Sequence, residues 1–215
     1  MTRSRKRRLK IISQTLTKHE KRMTDAIQRK LTLLAREVDA RWEPHQYLLL
    51  HESVTQFERQ LSSIIFRYGF HVAGESGTSA LQHFSTKASM DTMMEAILIW
   101  LRGYSTQRAR IVTEYLRGQI QEQLSSGLSD DEIRAGVLHI INTKGSAERI
   151  ARTETHTALE RGAWEAARSL GVRLIKEWAT IDDTKTRPDH AFADGQTREI
   201  EEPFSVGGEQ MQYPA

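Results

Sequence analysis

The stretch RTETHTALERGAWEAARSLG, residues Arg152–Gly171, is predicted to form the last part of a long helix. Charged and polar side chains are concentrated at its start. Small residues recur along it at helical spacing, so one face lets another backbone approach closely. That row comprises Ala151, Thr155, Ala158, Gly162 and Ala166, and it ends at Leu170. A flanking row places Arg152, His156 and Glu160 one turn apart, where opposite charges support a helix by about 0.2–0.5 kcal/mol per pair. Glycine at position 171 is the expected C-terminal stop.

Five upstream segments show signals of separate helices: 12–38, 45–72, 90–101, 105–124 and one that opens at Ser129. Glycine-containing stretches are expected to separate them, namely Gly74–Gly77, Gly103, Ser125–Gly127 and Gly145–Ser146. Ser129 and Glu132 form a capping-box pattern, in which each side chain accepts the backbone N–H of the other. Ser146 is predicted to cap the helix that Gly171 ends.

The character of the sequence changes after Gly171. A β-branched, alternating segment predicts a strand over 172–180, and a second short strand is expected over 197–204. Between them lies a polar loop, 182–195, and Gly207-Gly208 is interpreted as a turn leading out of the domain. The predicted fold is mainly α with a small C-terminal α+β domain: an elongated helical N-terminal region, then a helix and a short β-hairpin module.

Composition excludes several classes of protein. Apolar residues make up 38% of the 215 residues and charged residues 27%, which suits a polar helical protein better than an enzyme with a deep centre. The longest apolar run, Ala96–Leu101, is far shorter than the roughly twenty residues of a membrane-spanning helix. The basic start is not followed by a stretch of signal-peptide length, so we expect the protein to stay where it is made. Without cysteine, a metal would need His and carboxylate ligands.

The positive charge is concentrated at the N-terminus. Residues 1–36 hold 12 Lys and Arg against 2 Asp and Glu, whereas the rest of the chain carries a formal charge of −7. Such a density attracts a polyanion and releases its counterions, so we predict nucleic-acid binding by Arg3, Arg5, Lys6, Arg7, Arg8 and Lys10. The alternative is a solvated, floppy terminus.

Two enzyme hypotheses can be written from the C-terminal residues. The loop brings together Asp182, Asp183, His190 and Asp194, groups that bind divalent cations, so a metal-dependent hydrolase or nuclease is one alternative. Their spacing matches no metal motif, and polar loops held by Asp–Arg and Asp–backbone bonds are commoner. Glu199-Ile200-Glu201 is a Glu-x-Glu of the kind used by mono-ADP-ribosyltransferases, but the upstream Ser-Thr-Ser of those enzymes does not occur.

An ordered combination of residues is more specific than any of its parts. In chain order it comprises Ile150-Ala151-Arg152-Thr153-Glu154-Thr155, Gly162, Gly171, Lys176-Glu177-Trp178, Asp182, Thr186-Arg187, His190, Asp194-Gly195, Phe204, Gly207 and Tyr213-Pro214. The combination resembles the phage Mu F-like family of head morphogenesis, or minor capsid, proteins over roughly residues 105–215.

The resemblance implies a phage minor head protein, without enzymatic activity, cofactor, metal or small-molecule substrate. Its implied partners are the portal protein, other head and procapsid proteins, and double-stranded DNA bound without sequence preference; no membrane is involved. The implied location is the host cytoplasm during assembly and then the virion, in the capsid interior or at the portal vertex. Polymorphic toxins that resemble this family use the domain as a delivery module fused to a toxic enzyme, which is a further alternative.

The family motif is interpreted as a fold-defining polar network. Its residues are Arg152, Thr153, Glu154, Trp178, Asp182, Arg187, His190, Asp194 and Gly195. We expect Arg152 and Glu154 to reach toward Asp182, Arg187, His190 or Asp194.

The resemblance also suggests a domain organisation. Residues 1–104 would be a variable helical region with a basic tail, and residues 105–215 the head morphogenesis domain. Family members commonly continue past the Tyr-Pro dipeptide into an Asn-Cys-Arg-Cys-like segment, whereas this chain stops at Ala215 and has no cysteine. The C-terminal domain is therefore expected to be truncated or to be closed differently.

Overall fold

The computed structural model describes residues 3–43, 48–82, 87–180 and 186–213. Helices of 13 to 38 residues come first: α1 Arg3–Ala40, α2 Leu48–Leu81, α3 Lys87–Leu124, α4 Asp130–Asn142 and α5 Lys144–Ser169. Short elements follow, namely β1 Ile175–Glu177, α6 Pro188–Ala193, β2 Thr197–Glu199, β3 Phe204–Val206 and β4 Glu209–Met211. The prediction of a mainly α fold with a small C-terminal α+β module is confirmed.

The predicted helix break at Gly74–Gly77 is wrong, because α2 continues to Leu81. A Cβ on Gly77 would lie 2.3 Å from Sδ of Met93 and 2.9 Å from the carbonyl oxygen of Gly162. Glycine at this position permits a close approach of neighbouring helices, so tertiary packing outweighs its low helix propensity.

The predicted break at Gly103 is also wrong, because α3 runs uninterrupted from Lys87 to Leu124. A lone glycine costs a helix only about 1 kcal/mol relative to alanine, which a helix of 38 residues tolerates. The predicted domain boundary after residue 104 falls within α3, and this division of the chain stays a prediction.

The start of α4 follows its capping pattern. Oε2 of Glu132 accepts the backbone N–H of Ser129 at 3.0 Å and its hydroxyl at 2.6 Å. Both bonds lower the pKa of the Glu132 carboxyl, and the bond from the hydroxyl has the larger effect. The apolar face of this helix is buried through Ile133, Val137 and Ile141.

The predicted boundaries of α5 are correct at one end. Its start is wrong, since the helix begins at Lys144 and Ser146 lies inside it, donating its backbone N–H to the Thr143 carbonyl at 3.0 Å. Its end is as predicted: Gly171 has a φ of +63°, the left-handed conformation that closes a helix.

The described residues pack in two compact units, each assembled from separate segments of the chain. One unit, here the central unit, comprises His19–Gly69 and Trp100–Glu154. Its core is built from regularly spaced apolar residues of α1 to α5, including Met23, Ile27, Leu61, Val137 and Ala151. The other, here the terminal unit, comprises Met1–Lys18, Phe70–Ile99 and Thr155–Ala215, and it contains a small cluster of Trp178, Ala193, Phe204 and Val206.

The C-terminal module contains two antiparallel strand pairs. The predicted pairing of the first two strands is confirmed with shorter strands, β1 facing β2 with Lys176 opposite Arg198. Helix α6 lies inside the predicted polar loop and was missed, although proline occupies its first turn, where it is favoured. The pair β3–β4 was also missed: Gly207 and Gly208, with φ of 59° and 88°, form the turn between these strands and do not lead out of the domain.

None of the helices in the described ranges has the length and apolar composition needed to cross a bilayer.

Candidate functional site

Glu154 is the centre of a buried ion-pair network in the central unit, which we call the Glu154 network. Its side chain is 1% exposed, and its Oε1 accepts hydrogen bonds from Arg108, 3.0 Å from Nε and 2.9 Å from Nη2. Its Oε2 accepts the hydroxyl of Tyr104 at 2.7 Å. Burial acts to lower the pKa of Arg108, yet the adjacent Glu154 carboxylate raises it overall. Trp100 stacks on the Tyr104 ring, with centroids 4.6 Å apart, and so orients the hydroxyl donor.

The partners observed for Glu154 are not the predicted ones. Its two oxygens accept hydrogen bonds from Tyr104 and Arg108, both on α3. The reason lies in the helix register: residue 154 is one turn from Ala151 and Ala158, which are 0% and 1% exposed, so its carboxylate points into the core. Thr153 is partly exposed and Arg152 is exposed on another face, and the predicted contact of Arg152 with the loop stays a prediction.

The predicted row of charged side chains on α5 contains an unusual carboxyl. Loss of water around Glu160 raises its pKa to about 7, and the neighbouring His156 acts in the opposite direction. Near neutral pH this carboxyl is therefore only partly ionised. It contributes less to charge pairing along α5 than the sequence pattern suggests.

A second buried carboxylate, Glu165, lies further along α5 and belongs to the terminal unit. It is 3% exposed and pairs with Arg161 and with Arg168, the latter at 3.4 Å. Both guanidinium groups lie 4.5 Å from the ring centroid of Trp164. The spacing Arg-x-x-Trp-Glu-x-x-Arg places all four residues on one helix face. The sequence contains this signal, but we did not identify it as a site.

The cluster around Trp164 holds the segment after β2 against α5. The indole Nε1 donates to the carbonyl oxygen of Ile200 at 3.0 Å. Arg168 also donates through Nε to Oε1 of Glu201 at 2.8 Å. Since the indole and the guanidinium both bind this short segment, the C-terminal module is attached to α5 by directional bonds as well as by apolar contact.

Trp178 brings several residues of the predicted motif together. It is 1% exposed, and its ring meets Phe204 and His190 edge to face, with centroids 5.2 Å and 5.3 Å apart. Its backbone carbonyl accepts the N–H of Gly195 at 2.9 Å. Oδ1 of Asp194 accepts the Thr180 N–H at 2.7 Å, which fixes the turn beside the tryptophan. Trp178, His190, Asp194 and Gly195 thus share one small polar and aromatic cluster.

His190 has an environment that favours its neutral form. Burial lowers its pKa, the nearby charge of Arg187 lowers it further, and Asp189 acts in the opposite direction. Nη2 of Arg187 contacts Nε2 of the imidazole. Asp182, the remaining residue of the motif, lies outside the described residues.

The metal-site alternative gains no support from the geometry. In the part of the chain that the structure describes, no three His, Asp or Glu side chains gather in a way that could hold a metal ion. Asp194 is engaged with Thr180, and Asp182 and Asp183 lie outside the described residues.

The Glu-x-Glu pair is held by arginines. Glu199 on β2 accepts a hydrogen bond from Nε of Arg173 at 2.9 Å, and Glu201 accepts one from Arg168. Both carboxylates therefore serve as ion-pair partners that connect the strand region to the chain before β1 and to α5.

The predicted DNA-binding residues lie at the start of α1. The backbone of Arg3–Lys10 forms the first turns of this helix, so the six cations are carried on a helix and not on an irregular tail. The side chains of residues 1–12 lie outside what the structure describes.

Residues 114–213 match the family described as phage Mu protein F like protein, which is the family that the ordered motif predicted. The family is one of structural phage head proteins, and the match supports a phage head morphogenesis protein.

A curated relative is a much longer enzyme. The chain is 28% identical over 107 residues to the NAD(+)–arginine ADP-ribosyltransferase EFV of Enterococcus faecalis (strain ATCC 700802 / V583). That match covers 46% of this chain and 22% of the relative, so the chain spans less than a quarter of the relative's length. No solved structure matches the chain.

Proposed function

We propose that the protein is a minor phage head protein that associates with the portal and acts in procapsid assembly or in packaging and delivery of the genome. It is placed in the capsid interior or at the portal vertex, where it contacts the portal and other head proteins. It binds double-stranded DNA without sequence preference through Arg3, Arg5, Lys6, Arg7, Arg8 and Lys10. The observation that carries the proposal is the match of residues 114–213 to a family of phage head proteins.

Charge supports the DNA-binding part of the proposal. Six cations stand within the eight residues Arg3–Lys10, at the start of a helix that provides a continuous backbone for them. Neutralising phosphates with Lys and Arg releases condensed counterions, a contribution that does not depend on base sequence. A protein that meets a packaged genome of arbitrary sequence needs this kind of binding.

Deleting residues 1–10 should weaken binding to duplex DNA and reduce its salt dependence. Each phosphate contact contributes about 0.9 to the slope of log Kobs against log salt, so loss of six cations should reduce the slope by up to about 5. Fluorescence anisotropy with a random-sequence duplex at four or more salt concentrations measures both quantities.

A variant with the same six residues replaced by glutamine is the matched control, because it keeps the length of α1 and removes only the charge. Both variants should behave alike. An unchanged affinity and slope in both would show that the basic segment does not bind DNA.

The enzymatic relative supports a shared domain more than a shared activity. The activity in its name belongs to a protein of which this chain covers 22%. In this chain Glu199 and Glu201 are each engaged by an arginine, which suits a structural role for both carboxylates. The delivery-module and metal-hydrolase hypotheses therefore rank below the head protein.

A further inference from the structure

A row of three arginines lies on the exposed face of α1 within the central unit. Arg22, Arg29 and Arg36 are all exposed and are separated by seven residues each, which is about two helical turns. Successive guanidinium groups therefore project from the same side of the helix, at intervals of about 10 Å along its axis. The opposite side of the same segment is buried, as Met23, Ile27 and Leu34 show with exposures of 0%, 0% and 4%.

The acidic residues near this row have other partners. Asp25 is paired with Lys21 at 3.1 Å, and Asp39 with Arg134 at 2.7 Å. Glu37 is bound by Arg41 at 3.1 Å and accepts the Ser53 hydroxyl at 3.1 Å. Among the described side chains, these carboxylates are committed elsewhere and none of them pairs with Arg22, Arg29 or Arg36. The positive charge of the row is thus left for an external anion.

We propose that the row formed by Arg22, Arg29 and Arg36 is a second binding site for the phosphate backbone of DNA. The inference rests on the proposed DNA-binding function and extends it from the start of α1 to its middle. A guanidinium group binds a phosphate through two parallel N–H donors, and a row of them suits the repeating charge of a nucleic acid.

The surroundings of the row favour DNA over an acidic protein surface. Protein interfaces have an apolar, well-packed centre, whereas Leu33, 52% exposed, is the only large apolar side chain exposed on the described part of α1. Lys30 adds a further cation beside the row. Binding driven by charge alone, without apolar anchors, is typical of contact with a phosphate backbone.

The test is the triple variant Arg22→Gln, Arg29→Gln and Arg36→Gln in the full chain. Its matched control replaces Arg59, Arg67 and Arg102, three exposed arginines of α2 and α3, with glutamine, so that net charge changes equally. Duplex binding is measured as a function of salt for both variants and for the chain lacking residues 1–10. Circular dichroism and thermal unfolding check that the exposed substitutions leave the fold intact.

The triple variant should reduce the slope of log Kobs against log salt by about 2.7, at about 0.9 for each phosphate contact, while the control changes it by less than 1. An equal reduction in the triple variant and the control would overturn the proposal, because it would show a general effect of net charge. An unchanged slope in the triple variant, with a reduced slope in the N-terminal deletion, overturns this inference and leaves the proposed function standing. Absence of DNA binding by the unaltered chain overturns the DNA-binding proposal and this site together.

If the arginine row binds a protein and not DNA, the experiments give a different result. If the triple variant binds duplex as the unaltered chain does but no longer sediments with procapsids, the row binds an acidic protein surface, and the DNA site proposed here is wrong.

Discussion

Gly162→Ala should destabilise the terminal unit by about 3 kcal/mol or more, at the upper end of what overpacking costs. A Cβ at this position of α5 would lie 2.1 Å from the carbonyl oxygen of Ala73 and 2.7 Å from its carbonyl carbon and Cα. All three are backbone atoms of α2, so no side chain can rotate to make room. The two helices must separate at this point, and α5 is otherwise well buried nearby, with Ala158 and Ala166 only 1% and 0% exposed. Urea denaturation followed by circular dichroism measures the loss.

Gly103→Ala is the matched control for this substitution. Position 103 is also a helical glycine, but a Cβ there meets nothing within 4 Å. Alanine at this site should stabilise α3 by about 0.5–1 kcal/mol through helix propensity and reduced freedom of the unfolded chain. A Gly162→Ala protein as stable as the unaltered one would refute the close contact of α5 with α2.

Arg108→Ala should destabilise the central unit by about 3–5 kcal/mol, the cost of leaving a buried charge without its partner. Oε1 of Glu154 loses both of its donors, and its side chain, 1% exposed, cannot reach water in place of them. Tyr104 continues to hold Oε2 but cannot neutralise the charge. Thermal or urea unfolding measures the change. The double variant Arg108→Met with Glu154→Gln should recover most of the loss, because it removes both charges and keeps an acceptor for Tyr104.

The control for Arg108 is Arg110→Ala on the same helix. Arg110 pairs with Glu114 at 2.7 Å, but the two side chains are 70% and 52% exposed. Exposed pairs one helical turn apart contribute little to stability, so this variant should be nearly as stable as the unaltered protein. A comparably small effect of Arg108→Ala would contradict the role assigned to the Glu154 network.

Periodicity was sufficient to predict the long helices but not all of their boundaries. Apolar spacing identified helical segments within α1, α2, α3 and α4, since a helix with one buried face repeats its apolar residues every three to four positions. Helix breaks were wrongly predicted at two glycine positions, because whether a glycine ends a helix depends on its tertiary surroundings. Gly77 lies against another helix, whereas Gly103 faces open space, and both have the same local sequence signal.

The partner of Glu154 could not be derived from local sequence. Arg108 is 46 residues away and Tyr104 is 50, so only the packing of α3 against α5 brings them together. The burial of Glu154 was predictable, because it lies one turn from Ala151 and Ala158 on the small-residue face. The Arg-x-x-Trp-Glu-x-x-Arg pattern of residues 161–168 could also have been predicted, since its charged and aromatic members lie on one helix face.

In the C-terminal module, too, some elements could be predicted from the sequence and others could not. Its first strand pair was predicted from β-branched content, but α6 and the β3–β4 pair were missed because each is only three to six residues long. Elements this short are stabilised mainly by contacts such as those of Trp178 and Phe204, which local patterns do not encode. The ordered motif nevertheless identified the family that residues 114–213 match.

The central claim, that this is a minor head protein, is tested most directly by gradient sedimentation of procapsids assembled in its presence. The fractions are probed for the chain, the portal protein and the major capsid protein, and a parallel assembly without portal serves as the control. We predict that the chain sediments with procapsids, in far fewer copies than the major capsid protein, and is lost from them when the portal is omitted. A chain that stays with the free proteins at the top of both gradients would contradict the account.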